Sequence, residues 1–545
     1  MNGVYIAGVG MTRFGKTQDS LRTLLTRAAQ QAVGDPDRFA TIDAVYVGVM
    51  NAEEFTGEGN IATAIVDHLG LYGVPAFRIE TASSTGAAAL HAAFYALTSG
   101  HFRNILVLAG EKMTHLHTAR TTKILAEVIE LYERNCGASM PALAAMITQR
   151  YMSQYKISLP HMQRILSAVA IKNHYNGSLN PYAQFQKEIT REKYLESREI
   201  SSPLRLYDCA PITDGAAAVV LTTDKTDIRI IGVGQGTDTL GIRFRDSFTS
   251  FRSTQLAAKR AYSMAQITPK EVDFAEVHDA FTTFEIIGTE DLGFFPPGKG
   301  GRAVEKGLTA LDGELPINAS GGLKARGHPV GASGLAQIVE IVWQMRGEVD
   351  ERRQLKKTNV GLAQSIGGLG NNNFVTILER TDRQKVQVQG WENAYPFPLE
   401  LPPRPKRDPE SATKEGRLET FTILYTTPEG FPSPLQIGLV EDDEGHVLLA
   451  RSRRVENLKV GTRVIITKIG DTYYYFTRSS FDKFRIIGKK KFRDLTHNEL
   501  VRSFQSKVRS DLRRLKRELW DYRQSRRLQG GPEGELTVEE KDACK

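Results

Sequence analysis

The chain has 545 residues, 41% of them hydrophobic and 25% charged. That is an ordinary globular balance, too long for one core, and it implies two or more domains. Its three cysteines, Cys136, Cys209 and Cys544, show no CxxC spacing, which argues against a disulfide scaffold or a cysteine zinc site and fits a reducing, cytoplasmic setting. The net charge of +8 belongs to one segment: residues 488–528 hold 14 Lys/Arg against 5 Asp/Glu, so the basicity says little about nucleic acid binding by the whole chain.

From its start, MNGVYIAGVGM, the chain enters an apolar strand with no signal-peptide pattern, and no run approaches the roughly 18 apolar residues of a spanning helix. An internal repeat then emerges. VYIAGVGMT (4–12) resembles IRIIGVGQG (228–236), and IDAVYVGVM (42–50) resembles VDFAEVHDA (272–280). TASSTGAAALHAAFYAL (81–97) parallels GHPVGASGLAQIVEIVWQM (327–345), and NILVLAGEKM (104–113) parallels NVGLAQSIGG (359–368). Two copies of one β/α unit are expected, over residues 1–225 and 226–382, packed about a pseudo-twofold axis with functional loops at strand ends beside it. Residues 112–205 read as a helical insertion into the first copy. A linker dense in Pro and charge follows over 383–416, then five short alternating strands over 417–487 that fit an OB-type barrel. Within 488–528, Leu500, Phe504, Val508, Leu512, Leu515, Leu519 and Tyr522 recur at helical steps, giving a basic amphipathic helix. The tail 529–545 has a disordered composition.

Three loops between strand and helix carry the candidate chemistry: ETASSTG (80–86), EVHDAFT (276–282) and NASGGLKARGHPVGASG (318–334). Ser83 sits where a small nucleophile and free amides meet a helix N-terminus. A lone histidine is first read as structural, but Gly-His-Pro among glycines permits close backbone approach to a ligand. Spacing makes Ser83, His278 and His328 candidates for one pocket and leaves the chemistry open.

The pattern resembles the thiolase superfamily, and within it the sterol-carrier-protein-type and archaeal thiolases. ETASSTG is similar to the nucleophile loop, HDAF (278–281) to the HDAF/HDCF loop, and 318–334 to the Gly-His-Pro loop. KNHYNGSLNPYAQF (172–185) and PLRLYDCAPITDGAAAVVL (203–221) resemble further signatures, so the likeness covers roughly residues 1–380. It implies an α/β fold of stacked α/β/α/β/α layers, usually a homodimer or dimer of dimers, that acts on acyl-CoA thioesters. Coenzyme A would be part of the substrate, with no covalently bound cofactor. By the same resemblance His328 polarises the thioester oxygen and His278 completes an oxyanion site. The amides of Ser83 and of SIGGLG (365–370), with Gly367 and Gly368, form a second one. Asn318, Ser320 and Gly321 shape the loop and contact the pantetheine arm.

Position 83 departs from the family, which has an acylated cysteine there, and the second cysteine is absent from both HDAF and QSIGGLG. A serine hydroxyl needs a stronger relay than a thiol. Three explanations compete: a non-acylating retro-aldol cleavage of β-hydroxyacyl-CoA, serine-based acyl transfer through Ser83 and His328, or an acyl-CoA-binding scaffold without turnover. Cys209 reads as structural. Residues 432–468 resemble the OB-fold domain that accompanies thiolase-like enzymes, here without the cysteines of its usual zinc ribbon, so no zinc is expected. That resemblance suggests a fused partner that shapes the acyl-CoA entrance or bridges assemblies; a plain packing module is the simpler reading. For the helix 499–523, docking of its apolar stripe comes first, with an anionic membrane surface or RNA as the alternatives.

Overall fold

The computed structural model describes residues 3–383, 413–428, 430–469 and 472–480. The expected basic helix, the tail, Cys544 and most of the linker lie outside them. The strands before the linker are β1 (Val4–Met11), β2 (Ala44–Gly48), β3 (Ala76–Ile79), β4 (Asn104–Glu111), β5 (Glu199–Ser201), β6 (Leu204–Arg205), β7 (Gly215–Thr222), β8 (Ile228–Thr237), β9 (Phe274–Glu276), β10 (Val360–Gly367) and β11 (Asn372–Arg380). All but β5 and β6 join one sheet in the order β3-β2-β4-β7-β1-β8-β11-β10-β9.

The order shows the duplication. β2 and β4 are parallel, as are β9 and β10, and each pair continues through an antiparallel strand (β7 or β11) to the junction of β1 with β8. β4 is buried at every position after Asn104, the mark of a strand covered on both faces. A central core joins β1, β4, β7 and β8 to the helices Thr85–Thr98 and Ser333–Arg346. One outer core holds the helix Leu21–Val33 against the first half, and another holds Arg252–Ala265 against the second. Helix and sheet therefore alternate through five layers. The Gly-x-Gly pairs of the repeat have a steric cause: a β-carbon at Gly8 or Gly234 would fall 1.9 Å from the carbonyl oxygen of Ala32 or Ala257.

Helices Met140–Gln154 and Leu159–Ser178 dominate the insertion. Ser139 caps the first by accepting from the Ala142 N–H, with Pro141 in the opening turn. After the linker come β12 (Thr413–Leu424), β13 (Leu435–Asp442), β14 (Val447–Ser452), β15 (Arg463–Ile469) and β16 (Thr472–Phe476). They run β13-β14-β16-β15-β12, with β12 closing on β13 and β14 parallel to β16, a closed OB-like barrel. β12 begins inside the stretch expected to be linker. Its charged start is used: Lys414 Nζ sits 3.2 Å from Asp442 and 2.7 Å from Glu444. The barrel interior is lined by Leu418, Val440, Leu448, Val464 and Tyr475. Its outward residues Leu424, Leu435, Ile437, Leu439 and Leu449 join the core of the insertion.

Candidate functional site

Ser83 lies in a sharp elbow between β3 and the helix Thr85–Thr98. Ala82 before it is held at φ +54°, a left-handed conformation costly for a residue with a β-carbon. Neighbours hold the elbow: Thr85 Oγ1 donates to the Ala82 carbonyl at 2.6 Å, and Ser84 Oγ donates to the carbonyls of Thr81 at 2.8 Å and Asn372 at 2.9 Å. Ser83 is half-buried, and its hydroxyl makes no hydrogen bond to a described residue.

Two other loops meet this elbow, and the HDAF loop joins them through His328 and Gln364. A β-carbon at Gly367 would lie 2.5 Å from Ser84 Oγ and 2.6 Å from the Thr81 carbonyl, so the end of β10 touches both flanks of Ser83. One at Gly86 would lie 2.8 Å from the Gly331 carbonyl, which brings the turn after Gly-His-Pro against the first helical turn. His278 and His328 face each other edge-on, ring centroids 5.2 Å apart at 89°. The backbone N–H of His278 donates to Gln364 Oε1 at 2.9 Å and that of His328 to Thr213 Oγ1 at 2.9 Å.

Ser333 Oγ lies 2.7 Å from His328 Nδ1 and donates its proton to the Pro329 carbonyl at 2.9 Å. The hydroxyl therefore accepts from Nδ1–H, which assigns the tautomer and leaves Nε2 with its lone pair. Burial pushes His328 down to about 3, with Arg326 adding to the effect. Burial, then His328 and Arg326, also holds His278 well below the usual imidazole range. Both rings are neutral at pH 7. His278 Nδ1 is buried with no partner among the described residues.

Sequence reasoning missed Ser365. The parallel register pairs Ala363 with Glu276, and Ser365 directly follows Gln364, whose side chain accepts from the His278 backbone N–H. Its Oγ is buried without a described partner, 2.7 Å from where a β-carbon on Gly334 would stand. Its only sequence signal was its place in SIGGLG. Glu111 was also missed: its carboxylate accepts from the N–H groups of Met50 (3.0 Å), Asn51 (3.4 Å) and Gly331 (3.2 Å), and burial pushes it up to about 7.

Asn318, Ser320 and Gly321 were expected to shape the loop and to contact the pantetheine arm, and the contacts they make in the structure are of the first kind. Asn318 and Ser320 are fully buried. Asn318 Oδ1 accepts from the Val277 N–H and its Nδ2 donates to Glu285, each at 2.8 Å. Ser320 Oγ donates to Glu276 at 2.6 Å, and a β-carbon on Gly321 would lie 2.7 Å from Gly177 Cα. They brace the loops from behind. Asp279 of HDAF does the same, accepting from Leu323 N–H at 2.6 Å and Asn173 Nδ2 at 2.7 Å. Gly368, at φ +58°, begins the turn between β10 and β11.

Burial pushes the thiols of Cys136 and Cys209 up to about 11 and about 12. Neither has the thiolate character of a nucleophile. Asp442, Glu444 and His446 of the barrel gather close enough to hold a cation, but the Lys414 ammonium already bridges the two carboxylates.

Comparison with known proteins identifies the family. The thiolase N-terminal domain matches residues 4–225 and the thiolase C-terminal domain-like family matches residues 234–380. An acetyl-CoA acetyltransferase of Methanothermobacter thermautotrophicus is 40% identical over 391 residues, covering 70% of this chain and 100% of its own. Sterol carrier protein 2 of Bos taurus is 32% identical, covering 69% of this chain and 72% of its own. A monomeric SCP2-thiolase-like protein type 1 from Mycobacterium smegmatis superposes with a TM-score of 0.67 at 16% identity, over 87% of this chain and 99% of its own, and so shares the fold beyond the thiolase part.

Proposed function

The chain belongs to the thiolase superfamily, and from that membership we propose that it breaks or makes a carbon–carbon bond next to an acyl-CoA thioester without forming an acyl-enzyme. The observation that carries this reading is the pairing at the site. Two neutral histidines meet edge-on beside an elbow whose serine is bonded to neither of them. Covalent catalysis by serine relies on a base hydrogen-bonded to the hydroxyl and oriented by a third group, which in the best-known triads is a carboxylate. Here the group behind His328 is the hydroxyl of Ser333.

Retro-aldol cleavage of a β-hydroxyacyl-CoA asks less of these residues. His328 Nε2 accepts the β-hydroxyl proton as the Cα–Cβ bond breaks. The bond's electron pair moves into the thioester to give an enolate, and the β-carbon leaves as an aldehyde or ketone. His278 and the Ser83 amide supply hydrogen bonds to the enolate oxygen, whereas the Gly367 N–H, expected to join them, is already donated to Asn373 Oδ1 at 3.3 Å. His328 then returns the proton to Cα, releasing the shortened acyl-CoA.

Three measurements test this. Aldehyde or ketone release from a β-hydroxyacyl-CoA, with no requirement for free coenzyme A, is the expected result. An acyl adduct on Ser83 by intact mass after incubation with a 3-oxoacyl-CoA would instead establish serine-based acyl transfer, the second reading. Thermal stabilisation by acyl-CoA with no turnover of either substrate would leave a binding scaffold.

A further inference from the structure

The histidine loops are braced by the segment 199–213, and the barrel in turn braces that segment. At a first seam Leu424 of β12 pairs with Ser201 of β5, and the Ser202 N–H donates to the Ile423 carbonyl at 3.0 Å. Thr422 Oγ1 lies 2.7 Å from Ser201 Oγ and donates to the Ser202 carbonyl at 2.9 Å. Just downstream, Asp208 accepts from the Arg205 N–H at 2.7 Å and from Thr282 Oγ1 at 2.7 Å. The Ala210 N–H donates to the Ala280 carbonyl at 2.9 Å, and Thr213 Oγ1 accepts the His328 N–H at 2.9 Å. One strand of chain thus runs from the barrel to both histidine loops.

A second seam reaches the same place independently. Thr420 Oγ1 donates to the Met146 carbonyl at 2.6 Å, and Arg150 pairs with Glu419 at 3.1 Å. The same helix, Met140–Gln154, places Thr148 Oγ1 2.7 Å from Thr283 Oγ1, in the first turn of the helix that follows HDAF. Ser201, Thr420 and Thr422 are 0–1% exposed, beside the apolar core shared by barrel and insertion. An interface needed only for adhesion gains little from buried hydroxyls, whereas one that must fix relative position gains direction from them.

We propose that the fused barrel is a positioning element for the His278 and His328 loops, with Ser201, Thr420 and Thr422 as positioning residues. The inference rests on the site lying at those loops and not on which reaction occurs there. Hydrogen–deuterium exchange on the full chain tests it. Thr422→Val removes both hydroxyl contacts with nearly unchanged shape, and Ser201→Ala removes one of them from the other side. In both, backbone amides of 203–213 and 277–283 should exchange about fivefold faster, the scale of one lost hydrogen bond. Amides of β1, β7 and β8 should keep their wild-type rates, and Thr422→Ser should restore wild-type exchange throughout. Faster exchange confined to 199–202 and the barrel strands would overturn the proposal, as would a uniform rise across the chain. If Thr422→Val does not fold, Ser201→Ala decides between the same outcomes.

Discussion

His328 takes its tautomer from a neighbouring hydroxyl and its neutrality from burial, and both have kinetic consequences. Because burial holds the ring down to about 3, its proton-accepting form persists far below the pH at which an exposed imidazole would charge. The acid limb of kcat/KM for β-hydroxyacyl-CoA cleavage should therefore be absent near pH 6.5, with activity level from about pH 8 to about pH 5. A limb centred near 6.5 would show that burial does not hold the base's pKa down. Replacing it should cost far more than replacing Ser83. We expect His328→Ala to lower kcat/KM about 10²–10⁴-fold, the usual worth of a positioned acid–base group. Ser83→Ala, which keeps the backbone amide, should stay within about tenfold of wild type. The reverse order would establish the serine as nucleophile. Ser83, His278 and His328 could be found in the sequence because each sits in a dense local motif. Ser333, Thr213 and Ser365 could not, since what singles them out is a partner, or the want of one, supplied across the fold. Asn318 and Ser320 illustrate the converse, polar motif residues whose bonds are all spent behind the loops.

The duplicated elements were legible because their cause is local: glycines wherever a helix presses on a strand. Gly8 and Gly234 face the same clash in the two halves, each with 1.9 Å between a notional β-carbon and a helix carbonyl. Gly8→Ala and Gly234→Ala should therefore destabilise by similar amounts, about 3 kcal/mol, the upper end of overpacking. Urea unfolding checks this, and a strong inequality would mean that one helix yields where the other cannot. Glu111, at the end of β4, joins the loop after β2 to the Gly-His-Pro turn. Its folded pKa, about 7, exceeds the ordinary 4.5, so the folded protein holds a proton that the unfolded chain gives up. The contribution is full below pH 4.5 and is lost as pH rises to about 7. Between those values the wild type should lose on the order of 1–3 kcal/mol relative to Glu111→Gln, in which the titration is absent. Denaturant midpoints at pH 5 and pH 7.5 measure the difference, and parallel curves would mean that the carboxylate is ionised throughout.

At the scale of the molecule, the barrel's strands could be read from alternation but its attachment could not. In β13 the residues Leu435, Ile437 and Leu439 face the body while Val440 faces the barrel interior, and the strand is buried on both sides. A sequence apolar on both faces marks a strand with two covers and does not name the second. That cover is the insertion, whose core contains Cys136, Leu143, Met146 and Ile147 together with the barrel's outer leucines. Two elements that share a core cannot open separately without exposing it, so barrel and body should unfold as one cooperative unit. Scanning calorimetry should give a single transition for the region up to Phe476. Ile437, which is fully buried, offers the sharper test. Ile437→Asp sets an unpaired carboxylate in the shared core and should lower the stability of barrel and body together. An independent module would lose its own transition and leave the body's Tm unchanged, which is the result that would separate a fused passenger from an integral part of the enzyme.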